Sequence, residues 1–207
     1  MRVLFVHGMG RTLISGWPLL LRLQRAGFKT STFGYSVTFE NFDSITARLK
    51  KRISLLAGLD DYVVIGHSLG GVLLRAALNS LPSGTQLPKQ VYLLGSPIRP
   101  SRIASKFRSN IIYRAITGDC GQLLASTERM KAIGALAIPT KSLAGIRGIK
   151  ISSGSFGNEA NDGVVSVSEV SAPWVSSQVE VPVIHTLLPS SRLVAEIIIK
   201  ELLHNAT

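Results

Sequence analysis

The chain contains little cysteine and little acid for its length. Of 207 residues, one is a cysteine and 12 are Asp or Glu, against 23 Lys or Arg. The single cysteine, Cys120, excludes an intrachain disulfide and is expected to be a buried spectator thiol in a reducing compartment. No apolar run is long enough to span a bilayer, and the N-terminus lacks the cleavage site of a signal peptide. These absences favour a cytoplasmic protein.

Metal and cofactor signals are also absent. There are only four histidines, and no group of His, Cys and Asp has the spacing of metal ligands. No Gly-x-Gly-x-x-Gly pattern follows the first apolar run, which argues against a dinucleotide site. Hydrophobic residues make up 45% of the chain. The sequence therefore predicts one domain over 1–207 with a buried core, no metal and no organic cofactor.

Positive charge is concentrated in the middle of the chain. Residues 97–150 carry ten basic and two acidic residues, whereas residues 151–207 carry two and six. The segment 99–114 has no acid at all among its basic residues, which are Arg99, Arg102, Lys106, Arg108 and Arg114. This segment could contact an anionic lipid surface or an acidic ester, or simply be a solvated surface. No nucleic-acid partner is expected.

Short apolar runs alternate with helical patterns along most of the chain. The predicted strands are 3–6, 28–33, 62–65, 91–94, 149–151 and 179–184. Four helices are also predicted. The first has Pro18 near its start, and the second is capped by Asp43 or Ser44. The third begins after residue 68, and the last covers 192–203. This alternation predicts an α/β fold with a parallel sheet covered on both faces. The segment 98–147 breaks the pattern, with helical fragments at 103–114 and 121–130, and is predicted to form a cap.

A nucleophile is indicated by Gly66-His67-Ser68-Leu69-Gly70, which matches G-x-S-x-G. An apolar strand precedes the motif and an amphipathic helix follows it, as a nucleophile elbow requires. Ser68 would then lie at a helix N-terminus, where developing negative charge is stabilised. The alternative is a glycine-rich turn in which the serine has no chemical role.

The base is identified by elimination among four histidines. His7 ends the first strand, His67 is expected to point away from the nucleophile, and His204 is close to the chain end. His185 follows the last apolar run and leaves room for an acid before it. The chain order Ser, acid, His of this kind of site then selects His185.

The acid that orients the base should lie between residues 68 and 185. Asp162 stands in the turn sequence Asn161-Asp162-Gly163, where Gly163 allows a tight backbone. The second candidate is Asp119, which falls in the predicted cap. An aspartate that only stabilises its turn remains the alternative interpretation of Asp162.

Two backbone amides would complete the site. Attack on an ester carbonyl creates an oxyanion that needs preplaced N–H donors. Leu69 follows the nucleophile directly, and Met9 lies in His7-Gly8-Met9-Gly10 after the first strand. Both amides are predicted to form the oxyanion hole.

These motifs together resemble the α/β-hydrolase superfamily, in particular small bacterial lipases and esterases. The resemblance is carried by His7-Gly8, the elbow at 66–70, Asp162-Gly163-Val164-Val165 and the His185 loop, with Gly95-Ser96-Pro97 as a further match. It implies a mostly parallel sheet of about six strands with a small cap. It also implies cleavage of a small-molecule or lipid carboxylic ester through an acyl-enzyme.

The substrate side of the site is less determined by the sequence. Ile111, Leu123 and Leu136 are candidates for holding an acyl chain, and the alternative is that they form the core of the cap. The same triad would serve an acyltransferase, a thioesterase or an amidase. From a different class, a catalytically silent module that binds through its basic surface stays open.

Overall fold

Six strands and seven helices alternate along the chain in the structure, a computed structural model that describes residues 1–149 and 154–204. The strands are β1 Arg2–Val6, β2 Lys29–Phe33, β3 Tyr62–His67, β4 Val91–Leu94, β5 Thr140–Gly145 and β6 Ser177–Val181. The helices are α1 Trp17–Arg25, α2 Phe42–Ala57, α3 Leu69–Asn79, α4 Arg102–Phe107, α5 Ile111–Ala125, α6 Thr127–Ala132 and α7 Arg192–His204. Short 3₁₀ turns occupy Leu13–Gly16, Val167–Val170 and His185–Ser190.

All six strands form one sheet in the order β2-β1-β3-β4-β5-β6, and every adjacent pair is parallel. This confirms the predicted α/β class and strand number. Because the strands run in one direction, their carboxyl ends share one edge, and the segments that follow them meet there. The residues after β1, β3 and β6 include the His7 loop, Ser68 and His185.

The central strands bury side chains on both faces of the sheet. On one face, Leu4 and Val6 of β1 pack with the apolar residues of α2 and α3. On the other, Val3 and Phe5 pack with those of α1 and α7. All six residues of β3 are buried, which explains why the central strands read as continuous apolar runs rather than as alternating patterns.

Helix starts agree only in part with the sequence prediction. Pro18 lies in the first turn of α1 as expected. The cap of α2 was wrong: Asn41 is the N-cap, and its side chain accepts the Ser44 amide at 2.8 Å. Asp43, one of the predicted caps, instead lies inside the first turn, where a carboxylate interacts favourably with the helix dipole.

The predicted cap segment 98–147 needs correction at its end. Helices α4, α5 and α6 fill residues 102–132, but β5 then returns to the sheet between β4 and β6. The strand predicted at 149–151 does not supply this position. Ile149 lies outside any strand, and residues 150 and 151 lie outside the described residues.

The structure bears on two further predictions, one for Cys120 and one for membrane-spanning segments. Cys120 is buried on α5, and burial raises the pKa of its thiol to about 12, so the thiol is protonated at neutral pH. None of the helices in residues 1–149 and 154–204 combines the length and apolar content needed to cross a bilayer.

Candidate active site

Ser68 occupies the sharp turn between β3 and α3. Its φ of 51° and ψ of −124° put it in the left-handed half of the backbone map, the only non-glycine residue among those described with positive φ. Such a conformation costs about 1–3 kcal/mol in a non-glycine residue. Its own amide donates to the Leu94 carbonyl at 2.9 Å, and the Ser96 hydroxyl donates to its carbonyl at 2.7 Å. The turn is therefore clamped by β4.

Close backbone packing explains the glycines around this serine. A Cβ on Gly70 would collide with the Val6 and His7 carbonyl oxygens, and one on Gly66 would collide with the Gly71 backbone. The strand and helix can approach this closely only because these side chains are absent. The result leaves Ser68 half-buried at the carboxyl edge of the sheet, as the elbow motif predicts.

Asp162 and His185 form a buried pair at the same edge. His185 Nδ1 donates to Asp162 Oδ2 at 2.6 Å, and the two side chains are 7% and 0% exposed. The His185 amide also donates to the Asp162 carbonyl at 2.9 Å. Two bonds thus hold the imidazole in one orientation, with Nε2 left as the ring nitrogen that can accept a proton.

The other carboxylate oxygen of Asp162 holds its own turn. Oδ1 accepts the amides of Val164 at 2.9 Å and Val165 at 2.8 Å. The turn depends on Gly163, whose φ is +96°. The Asx-turn interpretation and the catalytic interpretation are therefore compatible, because each uses a different oxygen of one carboxylate.

The His185 loop is joined to the elbow by His67. The His67 ring is buried, and its Nε2 donates to the His185 carbonyl at 3.0 Å. The two imidazole ring centres are 4.8 Å apart. Burial lowers the pKa of His67 well below its ordinary value, and the nearby His185 lowers it further, so the His67 ring is neutral at pH 7. A neutral ring adds no positive charge beside His185.

Two glycines lie close against the Asp162–His185 pair. Gly95, with φ of +53°, would place a Cβ 2.9 Å from Asp162 Oδ2 and 3.0 Å from His185 Nδ1. Gly145, the last residue of β5, would place one 2.7 Å from Asp162 Cβ. The buried pair therefore fits beside the ends of β4 and β5 only because neither glycine has a side chain.

The two predicted oxyanion donors are available. Leu69 is the first residue of α3, so its amide has no partner within the helix. Among the described residues, neither the Leu69 amide nor the Met9 amide donates to a protein acceptor. The loop that carries Met9 is fixed by Tyr35, which stacks on the His7 ring at 4.2 Å and donates to the His7 carbonyl at 2.7 Å.

The serine hydroxyl itself is not yet engaged. Within residues 1–149 and 154–204, no group forms a hydrogen bond with Ser68 Oγ. The structure brings the candidate nucleophile and the candidate base to one sheet edge but does not contain the hydrogen bond between them. In enzymes without bound substrate such bonds are often long and tighten only on binding.

Solved structures with the same architecture were found by comparison of the coordinates. The mature Bacillus licheniformis lipase BlEst2 aligns with a TM-score of 0.66 at 16% identity, over 97% of this chain and 91% of that one. The metagenomic carboxyl esterase MGS0156 aligns at 0.70 and 19%, over 89% of this chain and 64% of that one. The chain has the α/β-hydrolase fold.

A third structure with this α/β-hydrolase fold is RedJ, a thioesterase from the prodiginine pathway of Streptomyces coelicolor. It aligns at 0.66 and 15% identity, over 98% of this chain and 88% of that one. No protein-family model matches the chain, and neither does any curated protein sequence. At these identities the comparisons establish the fold alone.

Two other acidic residues, Asp119 and Glu169, form hydrogen bonds or ion pairs away from His185. Asp119, the second candidate for the acid, pairs with Arg129 at 2.7 Å and accepts the Phe42 amide at 2.9 Å. Glu169 is buried and accepts the Ser166 amide at 2.8 Å and the Arg102 amide at 2.7 Å. Neither acid reaches His185.

The predicted acyl-chain residues do not come together. Leu123 and Leu136 are 2% and 4% exposed and are core residues, but the core they belong to extends from the predicted cap to the sheet, α2 and α3. Leu123 also lines a cavity of about 440 Å³ between α2, α3 and α6 that none of the proposed catalytic residues borders. Ile111 is 80% exposed at the start of α5.

A smaller cavity adjoins the proposed oxyanion loop. Its volume is about 130 Å³, and Met9, Tyr35, Val37 and Ile116 are among its lining residues. This is room for about four water molecules. No sequence pattern indicated Ile116 or Val37, because they come from α5 and the loop after β2 and meet only in the folded chain.

His67 and Gly95 are further residues of the site that the sequence analysis did not assign. His67 was expected only to point away from the nucleophile; its Nε2 donates to the His185 carbonyl, 118 positions later in the chain. Gly95 was noted only as part of a family-like turn. Its proximity to the acid–base pair could not be inferred without knowing that β4 lies between β3 and β5.

Proposed function

We propose that this chain is a serine hydrolase that cleaves carboxylic esters through Ser68, His185 and Asp162. The observation that carries the proposal is the buried Asp162–His185 pair at 2.6 Å, delivered to the sheet edge that presents the strained Ser68 turn. A structural histidine would not need a carboxylate partner, a second bond from its own amide and a reserved space around both. The esterase and lipase names of proteins with this fold agree with the proposal.

The reaction proceeds in two halves. His185 Nε2 takes the proton of Ser68 Oγ as that oxygen bonds to the acyl carbon, and the carbonyl electrons move onto its oxygen. The Met9 and Leu69 amides bind this oxyanion. The tetrahedral intermediate then expels the alkoxide, which takes the proton from His185, and leaves an acyl-Ser68. Water then gives a proton to His185 as its oxygen bonds to the acyl carbon. The second tetrahedral intermediate breaks the bond to Ser68 Oγ, which takes that proton back from His185, and the acid is released.

The Asp162 carboxylate stabilises the imidazolium that forms twice in the cycle. Removing one oxyanion donor in such a site costs about 3 kcal/mol of transition-state stabilisation. The cavity of about 130 Å³ is lined by Met9 but not by Ser68, Asp162 or His185, so it offers room for a short acyl or alcohol group only beside the proposed oxyanion loop. A longer chain would extend past Ile116, whose side chain is 58% exposed.

A fluorophosphonate probe tests the proposal, because it phosphonylates only an activated serine. We expect the wild type to be labelled and to hydrolyse p-nitrophenyl acetate. Ser68→Ala should lose both signals at wild-type thermal melting. His185→Ala should lose both while still folded, with a lower melting temperature because buried Asp162 loses a hydrogen-bond partner. Ser36→Ala is the matched control, since Ser36 also follows a Gly-x pair and lines the small cavity, yet should be labelled normally.

The outcome also separates the rival interpretations. A folded wild type that takes up no label favours a silent binding module. Labelling with hydrolysis of a thioester or an anilide far above that of matched esters would move the activity to a thioesterase, of which RedJ is an example with this fold, or to an amidase.

A further inference from the structure

The turn between α4 and α5 is unusually exposed. Every residue from 105 to 112, here called the α4–α5 tip, has an exposed side chain. Ile111 and Ile112 are 80% and 66% exposed, and Phe107 is 43% exposed. Exposed groups of large apolar side chains often mark interaction sites. The tip therefore calls for an apolar partner.

The tip also carries positive charge without compensation. Lys106 and Arg108 interleave with the apolar residues, and Arg114 follows one turn later. None of the three forms an ion pair with an acidic side chain among the described residues. The basic residue of this region that does have an acidic partner is Arg102, which pairs with Glu159 at 2.8 Å.

Helix α5 leads from the tip to the small cavity beside the proposed oxyanion loop. The Thr38 hydroxyl donates to the Ile116 carbonyl at 3.2 Å, which joins α5 to the loop after β2. Ile116 lines the small cavity together with Met9. Phe39, in the same loop, is 88% exposed. Exposed apolar residues thus continue from the tip to the oxyanion loop.

We propose that the α4–α5 tip docks on an anionic lipid bilayer. Basic residues interleaved with exposed Ile and Phe at an exposed turn match an interface that is anionic outside and apolar beneath. A nucleic acid would not need the isoleucines. A peptide helix would need a groove, and neither cavity described above is lined by the tip. Resting on the proposed function, this docking would turn the cavity mouth toward esters at the lipid surface.

The expected strength follows from the charges. Each Lys or Arg close to an anionic leaflet strengthens binding about five-fold, so removing Lys106 and Arg108 should weaken it about 25-fold. The attraction is screened within about 8 Å at physiological ionic strength. Binding should therefore fall steeply between low and high salt, whereas replacing the isoleucines should weaken it by at least about ten-fold at either.

Vesicle co-sedimentation of the full chain tests the proposal. We expect the wild type to bind vesicles of 70% phosphatidylcholine and 30% phosphatidylglycerol, and to bind pure phosphatidylcholine at least ten-fold less. Lys106→Ser/Arg108→Ser and Ile111→Ser/Ile112→Ser should each reduce binding as stated. The matched controls Lys51→Ser and Leu55→Ser change exposed residues of α2, and should bind as the wild type does.

Catalysis and docking are measured separately. Ser68→Ala should bind vesicles like the wild type, so failure of the ester hydrolase proposal would leave this measurement intact. Equal binding by the wild type and both tip variants would overturn the docking proposal. A second result would also overturn it: the wild type forms dimers in sedimentation velocity, and the tip variants are monomeric but bind vesicles as the wild type does. The tip would then contact a second copy of the chain.

Discussion

Replacing Asp162 by asparagine would test whether its carboxylate fixes the proton on the right nitrogen of His185. The Val164 and Val165 amides both point at Oδ1, at 2.9 and 2.8 Å. An asparagine must therefore turn its carbonyl oxygen toward them and its NH₂ group toward His185. Nδ1 then has to accept, and the ring proton moves to Nε2. That nitrogen can no longer take the proton of Ser68.

The magnitude follows from what is kept and what is lost. The asparagine keeps the shape and both turn hydrogen bonds, so we expect the unfolding free energy to change by less than about 2 kcal/mol. The wrong tautomer should lower kcat about 10³- to 10⁴-fold, or about 4–5.5 kcal/mol of activation free energy. Asp162→Ala should lose as much activity and, with the buried Val165 amide and the part-buried Val164 amide unpaired, about 2–4 kcal/mol of stability as well.

The assay is p-nitrophenyl acetate hydrolysis over a range of concentrations, with urea unfolding of the same preparations. The two variants should coincide in kcat and separate in stability. If Asp162→Asn retained kcat within ten-fold of the wild type while folded, the carboxylate would not set the tautomer. Equal destabilisation of both variants would show that the Asn side chain does not preserve the turn.

Three further changes probe the surroundings of the pair. Gly95→Ala should lower kcat at least 100-fold, because its Cβ would lie 2.9 Å from the carboxylate and 3.0 Å from the imidazole, whereas Gly84→Ala, with positive φ but open space, should change only thermal stability. Burial holds the pKa of His67 well below its ordinary value. Below pH about 6.5 the unfolded chain therefore binds a proton at this residue that the folded chain does not bind. The free energy of unfolding should then fall by up to about 1.4 kcal/mol per pH unit as the pH is lowered. Urea unfolding of His67→Gln from pH 7 to 5 should show a smaller fall, and an equal fall contradicts this. Glu169→Ala leaves buried amides unpaired and should cost about 2–5 kcal/mol in urea, against under about 0.5 for exposed Glu128→Ala; equal midpoints would refute it.

Five of the six strands were predicted, most clearly β1, β3 and β4, which carry apolar runs, and β5 was missed for a physical reason. Its sequence begins Thr140-Lys141-Ser142, and Thr140 and Ser142 are fully buried. Their hydroxyls donate to the Ile138 and Val170 carbonyls at 2.8 and 3.0 Å. Burial of a hydroxyl is acceptable once it is hydrogen-bonded. The partner of Ser142 lies 28 residues away, so no local pattern could indicate it.

The candidate catalytic side chains were predictable for a different reason. A motif at Ser68, the chain order and the shortage of histidines left few choices for the base and acid. The contacts that hold them were not predictable, since His67 bonds a carbonyl 118 residues away. The spacing of residues in a sequence can indicate catalytic side chains, whereas the contacts that position those side chains depend on which strands become neighbours in the sheet.

Main-chain groups do most of the holding at this edge, and this decides how the site should respond to mutation. Ser68 is held through its amide and carbonyl by Leu94 and Ser96, and His185 through its amide and carbonyl by Asp162 and His67. The Ser68 hydroxyl takes no part in these bonds. Its removal therefore deletes the chemistry without loosening the fold, whereas a change at His67 loosens the base while leaving every proposed reacting group in place.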